Sequence, residues 1–275
     1  MGGKVGIGVK TLLLLLLFVS LYGAGVSEAD MKSPNQKVTL NTTLPDVKLL
    51  DSYGKTVSIK EIIGGKVLII SPIYTRCQTA CLLITDSVMS VVDKVEGLGV
   101  NYNVLTLTFD PDDDQKQMEK FRNTWQLDNK PGWTVAGGGK GEVEKLLKAL
   151  DFQYTLDGET GEFLHPNLLI VITPMGKISK YIYGVNYDEK NVRLSILAAK
   201  KEGSSLTLTE GVLLWCYRYD PLTGKYIFDW GLVCELIGGI AFFISIPFFF
   251  WGRLVISKIK FFSSRIFMRK RFSNS

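Results

Sequence analysis

Apolar positions fall into three kinds of run along this chain. The first kind is short and almost unbroken, over 66–73 (Val-Leu-Ile-Ile-Ser-Pro-Ile after the lysine), 103–109 and 168–173. Branched residues in runs of that length predict strands buried on both faces. The second kind recurs at helical spacing. Leu82, Leu83, Val88, Val91, Val92 and Val95 predict a helix over 78–95, and comparable patterns predict helices over 112–125, 141–150 and 188–201. Alternating segments at 46–50 and 55–59 flank Asp51-Ser-Tyr-Gly54 and predict a β-hairpin, and 178–183 pairs with 168–173 through Pro174-Met-Gly176. A further short strand is expected over 131–136. The third kind is a single long run over 231–252, with one acid, Glu235, near its entrance. About 20 apolar residues suffice to cross the hydrocarbon core of a bilayer.

In order these elements read hairpin, strand, helix, strand, helix, then a second hairpin and a closing helix. That is the order of an α/β, thioredoxin-like fold with an amino-terminal β-hairpin and an insertion over 130–161, followed by one carboxy-terminal transmembrane helix. A length of 275 residues fits one core-bearing domain plus appendages. The domain is expected over 43–203. Residues 30–42, bracketed in part by Pro34 and Pro45, read as a tether, and 204–230 as a juxtamembrane segment.

Charge changes the picture mainly at the ends. Lys4 and Lys10 precede a leucine-rich run over 11–20 and the small residues Gly23, Ala24 and Gly25, so 1–29 reads as a signal peptide. Beyond the apolar run, 253–275 carries Arg253, Lys258, Lys260, Arg265, Arg269, Lys270 and Arg271 and no acid. Such a flank marks a cytoplasmic tail. Both ends place 30–230 on the extracytoplasmic side of a single-pass protein of the cell inner membrane, with its soluble domain in the periplasm. The whole chain is +5, but 30–232 holds 23 basic and 25 acidic residues, a net charge of −2. The basic excess belongs to the ends, and nothing in the domain suggests nucleic-acid binding.

The candidate chemistry is concentrated in three residues. Of four cysteines, Cys234 falls in the apolar run and Cys216 just before it, whereas Cys77 and Cys81 stand together where the strand 66–73 meets the helix after it. With a helix starting near Cys77, the two sulfurs share one face, and the helix amino terminus favours thiolate. Such a pair serves as a structural disulfide, as a redox dithiol or as a soft-metal site. A disulfide one helical turn long closes a very short loop and stabilises little. His165, the only histidine, precedes the strand near Leu168, and in a thioredoxin-like fold the loop before this strand faces the cysteines. Two thiolates and an imidazole suit Cu(I), or Cu(II) with an added ligand. A structural zinc site would want a fourth ligand, and none is evident. Asp110 ends the strand 103–109, where it either orients a ligand or loop or caps the next helix.

Three segments carry a resemblance: Tyr74-Thr-Arg-Cys-Gln-Thr-Ala-Cys81, Thr108-Phe-Asp-Pro-Asp-Asp-Asp114, and the stretch His165-Pro-Asn-Leu-Leu-Ile-Val-Ile-Thr-Pro-Met-Gly-Lys-Ile-Ser-Lys-Tyr181. Together they resemble the signature segments of the SCO/SenC copper proteins, over about 43–201. The resemblance implies copper bound by Cys77, Cys81 and His165, with Asp110 in the family's Asp-Pro segment. It also implies a membrane-anchored copper chaperone that helps assemble the binuclear copper centre of cytochrome c oxidase subunit II, with a copper-donor protein or thiol reductant as a further partner. The family commonly has proline after each cysteine, where this chain has Gln78 and Leu82, and here His165 is followed by Pro166. A proline at that place is also how thioredoxin-like oxidoreductases face their cysteines. The alternative is therefore a thiol-disulfide oxidoreductase acting on the cysteines of that copper site, which needs Cys77 and Cys81 but not His165.

Overall fold

A computed structural model of the chain describes residues 33–247, apart from Gln78, Gly139, 204–205 and 221–222. The expected signal peptide and basic tail lie outside the described residues, as does the end of the long apolar run. Two compact units divide the chain near Ser205.

The first unit is built on β3 (Val67–Ile73), in which every residue is buried. Beside it runs β4 (Tyr102–Thr108), parallel and in register from Val67↔Tyr102 to Ile73↔Thr108. On its other side β8 (Leu168–Ile172) is antiparallel, and β9 (Ile178–Tyr183) pairs with β8 as a hairpin. These four strands form the α/β, thioredoxin-like arrangement that the element order predicted. Three further strands widen it. In the insertion, β5 (Trp133–Gly137) adds parallel to β4, and the amino-terminal hairpin of β1 (Lys48–Asp51) and β2 (Thr56–Ser58) docks antiparallel on β5. The sheet order is β2-β1-β5-β4-β3-β8-β9. Gly137 is needed in β5 because a Cβ there would lie 1.9 Å from Thr108 Oγ1. A small separate hairpin, β6 (Thr155–Leu156) with β7 (Phe163–Leu164), completes the insertion.

Pro72 sits in the middle of the sheet without disrupting it. Ile73 O accepts from Phe109 N, so Ile73 faces β4 and the missing N–H of Pro72 faces β8. Pairing of β3 with β8 has already ended at Ile70↔Ile170, so no ladder bond is lost there. The gap beyond that last pair is where the candidate site forms.

The α-helices of the first unit are α1 (Gln36–Thr39), α2 (Ile59–Ile63), α3 (Ala80–Lys94), α4 (Gln115–Thr124), α5 (Lys140–Ala149) and α6 (Glu189–Lys200). The last four sit where the apolar spacing put them, and the two short ones, α1 and α2, were not expected. Ser58 and Glu61 close a capping box on α2, and Asp114 and Gln117 close one on α4. The stretch read as a tether behaves differently in its described part. Asn41 N donates to Ile178 O, Ile178 N to Thr42 O, and Leu44 N to Gly176 O, so the chain from α1 to Leu44 is hydrogen-bonded to the β9 end of the sheet. Its polar composition hid this, because the contacts are made by backbone.

In the second unit, α7 (Leu208–Trp215) is followed by a hairpin of β10 (Tyr217–Asp220) and β11 (Lys225–Phe228). The described chain ends in a helix over Trp230–Pro247, long and apolar enough to cross a membrane.

Candidate metal centre

The sheet register brings the three candidate residues together. β8 runs antiparallel to β3, so the start of β8 lies beside the end of β3. His165 lies three residues ahead of Leu168 and Cys77 four residues beyond Ile73, which puts both at the same edge. The helix starts later than the spacing suggested. Cys77 lies in the loop before α3, and only Cys81 is in its first turn. Cys77 Sγ therefore stands ahead of the helix and accepts the first-turn N–H of Cys81 at 3.4 Å.

This difference sets the two thiols apart. The Cys81 thiol facing it, the Tyr74 phenol and the amide N–H groups of Cys81 and Thr79 all favour Cys77 thiolate, holding its pKa down at about 4 against the cost of burial. Cys81 is pushed the other way, first by the neighbouring Cys77 sulfur and then by burial, so it keeps its proton. Two adjacent sulfurs thus share one proton rather than titrating alike.

His165 completes the set. Its Nδ1 lies 3.2 Å from Pro166 O, and a carbonyl only accepts, so Nδ1 carries the proton. Nε2 is left with a bare lone pair, 3.9 Å from Cys81 Sγ. The ring is buried among Tyr74, Phe109 and Phe152, with centroids 5.9, 5.3 and 6.0 Å away. Desolvation by these neighbours lowers its pKa and keeps it neutral. Cys81 then sits between two acceptors, Cys77 sulfur on one side and His165 Nε2 on the other.

Among the described residues no three His, Cys, Asp or Glu side chains form a ready-made metal cage. The pairwise geometry nevertheless fits a soft ion. Metal–sulfur and metal–imidazole bonds of about 2.3 and 2.0 Å span at most about 4.3 Å, so one ion reaches both Cys81 and His165 across 3.9 Å. The donors are soft, and the neutral His tautomer is the one a metal requires.

The loop carrying Cys77 is held by two carboxylates. Asp110 is buried; its Oδ2 accepts from Arg76 Nε at 2.6 Å and its Oδ1 from Asp112 N at 3.0 Å. It contacts neither sulfur nor imidazole in any recorded hydrogen bond, and acts on the residue before Cys77. The Arg76 guanidinium also lies 5.4 Å over the Phe163 ring, which links the cysteine loop to β7 just before His165. Asp113 lies in an acidic run of the kind usually solvated, yet it is buried, and its carboxylate accepts from Thr75 N at 2.9 Å and from Thr75 Oγ1. Burial raises its pKa, with the Thr75 bonds opposing. In a run of four acids, 110 and 112–114, no local period separates the two that point inward, Asp110 and Asp113, from the exposed Asp112 and Asp114. Cys216 and Cys234 lie in the second unit.

A protein-family model described as SCO1/SenC matches residues 36–197. The chain belongs to the SCO1/SenC family. A curated relative, the SCO1 protein homolog of Bacillus subtilis strain 168, is 26% identical over 188 residues, covering 66% of this chain and 92% of its own. A solved structure from Aquifex aeolicus VF5, named as a candidate electron transfer protein, is 38% identical, covers 60% of this chain and 96% of its own, and superposes with a TM-score of 0.56. Arabidopsis thaliana ScoI, solved with copper bound, shares the fold at 19% identity and a TM-score of 0.50, covering 58% of this SCO1/SenC chain and 99% of its own. The SCO1/SenC match spans the sheet, the cysteine loop and His165, and stops before the second unit.

Proposed function

We propose that this chain is a membrane-anchored copper chaperone that takes up Cu(I) on Cys77, Cys81 and His165 and delivers it to the binuclear copper centre of cytochrome c oxidase subunit II during assembly. The observation that carries the reading is the position of the Cys81 thiol between Cys77 sulfur and His165 Nε2. Loss of that one proton leaves two neighbouring thiolates and an imidazole lone pair beside Cys81, so copper uptake releases a proton. Family membership supports the copper and oxidase-assembly parts. The apolar helix supports anchoring, and a signal peptide with a basic tail supports a periplasmic domain and cytoplasmic carboxy terminus. Confinement to the membrane that holds the target raises the partner's effective concentration.

The same cysteines favour one second reading. A thiolate at Cys77 beside a protonated Cys81 is the arrangement of an attacking and a resolving thiol, which suits a thiol-disulfide oxidoreductase working on the cysteines of the oxidase copper site. His165 separates the two readings. Copper stoichiometry and oxidation state are measured on reduced full-length protein, for wild type and for Cys77→Ala, Cys81→Ala and His165→Ala. The chaperone reading expects one copper in wild type and weaker binding in all three variants. Unchanged copper binding by His165→Ala, with oxidase assembly intact, would move the function to redox chemistry.

A further inference from the structure

The described residues of the second unit form secondary structure without a buried apolar centre. Among these residues no hydrophobic side chain is buried, although α7, β10 and β11 together supply leucines, a valine, an isoleucine, tyrosines, a phenylalanine and a tryptophan. A two-stranded hairpin is at best marginal in water unless its apolar face is covered. An eight-residue helix is likewise too short to stand alone.

The most exposed apolar residues of α7 share one face. On α7, Leu208, Val212 and Trp215 recur at i, i+4 and i+7, and they are 91, 61 and 67% exposed. Side chains at that spacing form one stripe. The capping box of Thr207 with Glu210 sets the polar start of this helix away from the stripe. The hairpin is two-faced as well. Cross-strand partners Tyr217 and Phe228, then Tyr219 and Tyr226, stack at 5.2 and 5.5 Å, and Phe228 meets Trp230 at 4.8 Å. Arg218, Asp220, Lys225 and the exposed Ile227 alternate to the other face, where Arg218 pairs with Asp229. Tyrosines and a tryptophan with polar tips, interleaved with charged residues, are the composition of a membrane–water interface. The apolar helix begins at Trp230, two residues after β11 ends, so any bilayer entered by Trp230–Pro247 starts at this hairpin.

From this continuity we infer that α7 and the β10–β11 hairpin form an interfacial module that lies in the headgroup region of the bilayer, with Leu208, Val212 and Trp215 turned toward the acyl chains. The occupant of the apolar face is lipid. The inference rests on the membrane-anchored reading and gives the second unit a role of its own, as a lipid-facing collar at the entrance of the span.

The test uses full-length protein in phosphatidylcholine vesicles whose acyl chains carry bromine near the headgroup. Trp230 and Trp251 are changed to Phe, and quenching of Trp215 is obtained as the difference on adding Trp215→Phe. Quenching of Trp215 by brominated lipid, cut by about half or more on Leu208→Glu with Val212→Glu, is the expected result. Trp215 open to aqueous iodide and unquenched by lipid would overturn the inference. So would Trp215 shielded from both quenchers, the outcome expected if a protein partner or a second copy covers the face. A Phe242→Trp reporter keeps failure of the span distinguishable: quenched Phe242→Trp beside unquenched Trp215 rejects the interfacial module alone, whereas loss of both rejects the anchor as well.

Discussion

Alkylation of Cys77 should be almost independent of pH from about 5 to 8. An ordinary cysteine has a pKa near 8.5, so at pH 6 only about 0.3% of it is thiolate. Cys77, held at about 4 by the Cys81 thiol, Tyr74 and two amide N–H groups, is then almost wholly ionised. That is a gain of roughly 300-fold in reactive form. Intrinsic nucleophilicity falls with pKa at about 0.45 log units per unit, so the drop of some 4.5 units removes roughly 100-fold. The net advantage at pH 6 is only about threefold, and burial of Cys77 reduces it further. Burial scales the rate equally at every pH, so the slope carries the information and the absolute rate does not. Iodoacetamide alkylation of the reduced protein, with the two cysteines separated by peptide mass spectrometry, measures both slopes. Cys77 should give a flat profile and Cys81 a rate that is low and still rising at pH 8. Cys81→Ala, which removes the facing thiol, should shift the Cys77 profile toward higher pH. A Cys77 rate that climbs tenfold per pH unit through pH 7 would refute the assignment of thiolate to Cys77 and the electrostatic reading of the helix start.

Other consequences follow from single contacts. Asp113→Ala leaves Thr75 N–H without its charged acceptor and should cost about 2 kcal/mol in urea unfolding; Thr75→Val, which keeps the N–H bond, should cost less. The two changes together should cost less than their sum, because both act on one contact. Gly137→Ala drives a Cβ to within 1.9 Å of Thr108 Oγ1 and 2.8 Å of Thr108 O, and should destabilise by about 2 to 3 kcal/mol in the same assay. For His165, the folded pKa lies below the ordinary value of about 6.5, so the unfolded chain binds the proton more readily and stability is lost as pH falls below that value. Unfolding free energies between pH 7 and 5 should therefore fall more steeply in wild type than in His165→Phe.

Local pattern determined a great deal about this protein. Nearly unbroken apolar runs identified β3, β4 and β8, helical spacing identified α3 and α6, and the long run identified the helix over Trp230–Pro247. It also placed Cys77 and Cys81 at a strand–helix junction, because periodicity reports which way neighbouring side chains face and where one period gives way to another. Tertiary structure decided the rest. His165 meets Cys81 across 84 residues only because β8 returns antiparallel beside β3, a register that no spacing encodes. The start of α3 at Ala80 turned two expected equivalent thiols into one thiolate and one thiol, through a backbone N–H that a sequence does not display. Asp113 went inward and its neighbours did not, since burial of a carboxylate depends on a partner, Thr75, supplied from another element. The lead-in to the domain was pinned by backbone bonds to β9, which leave no mark on side-chain composition. Periodicity is a property of a segment, whereas a site made of two thiols and an imidazole is a property of how segments are laid side by side.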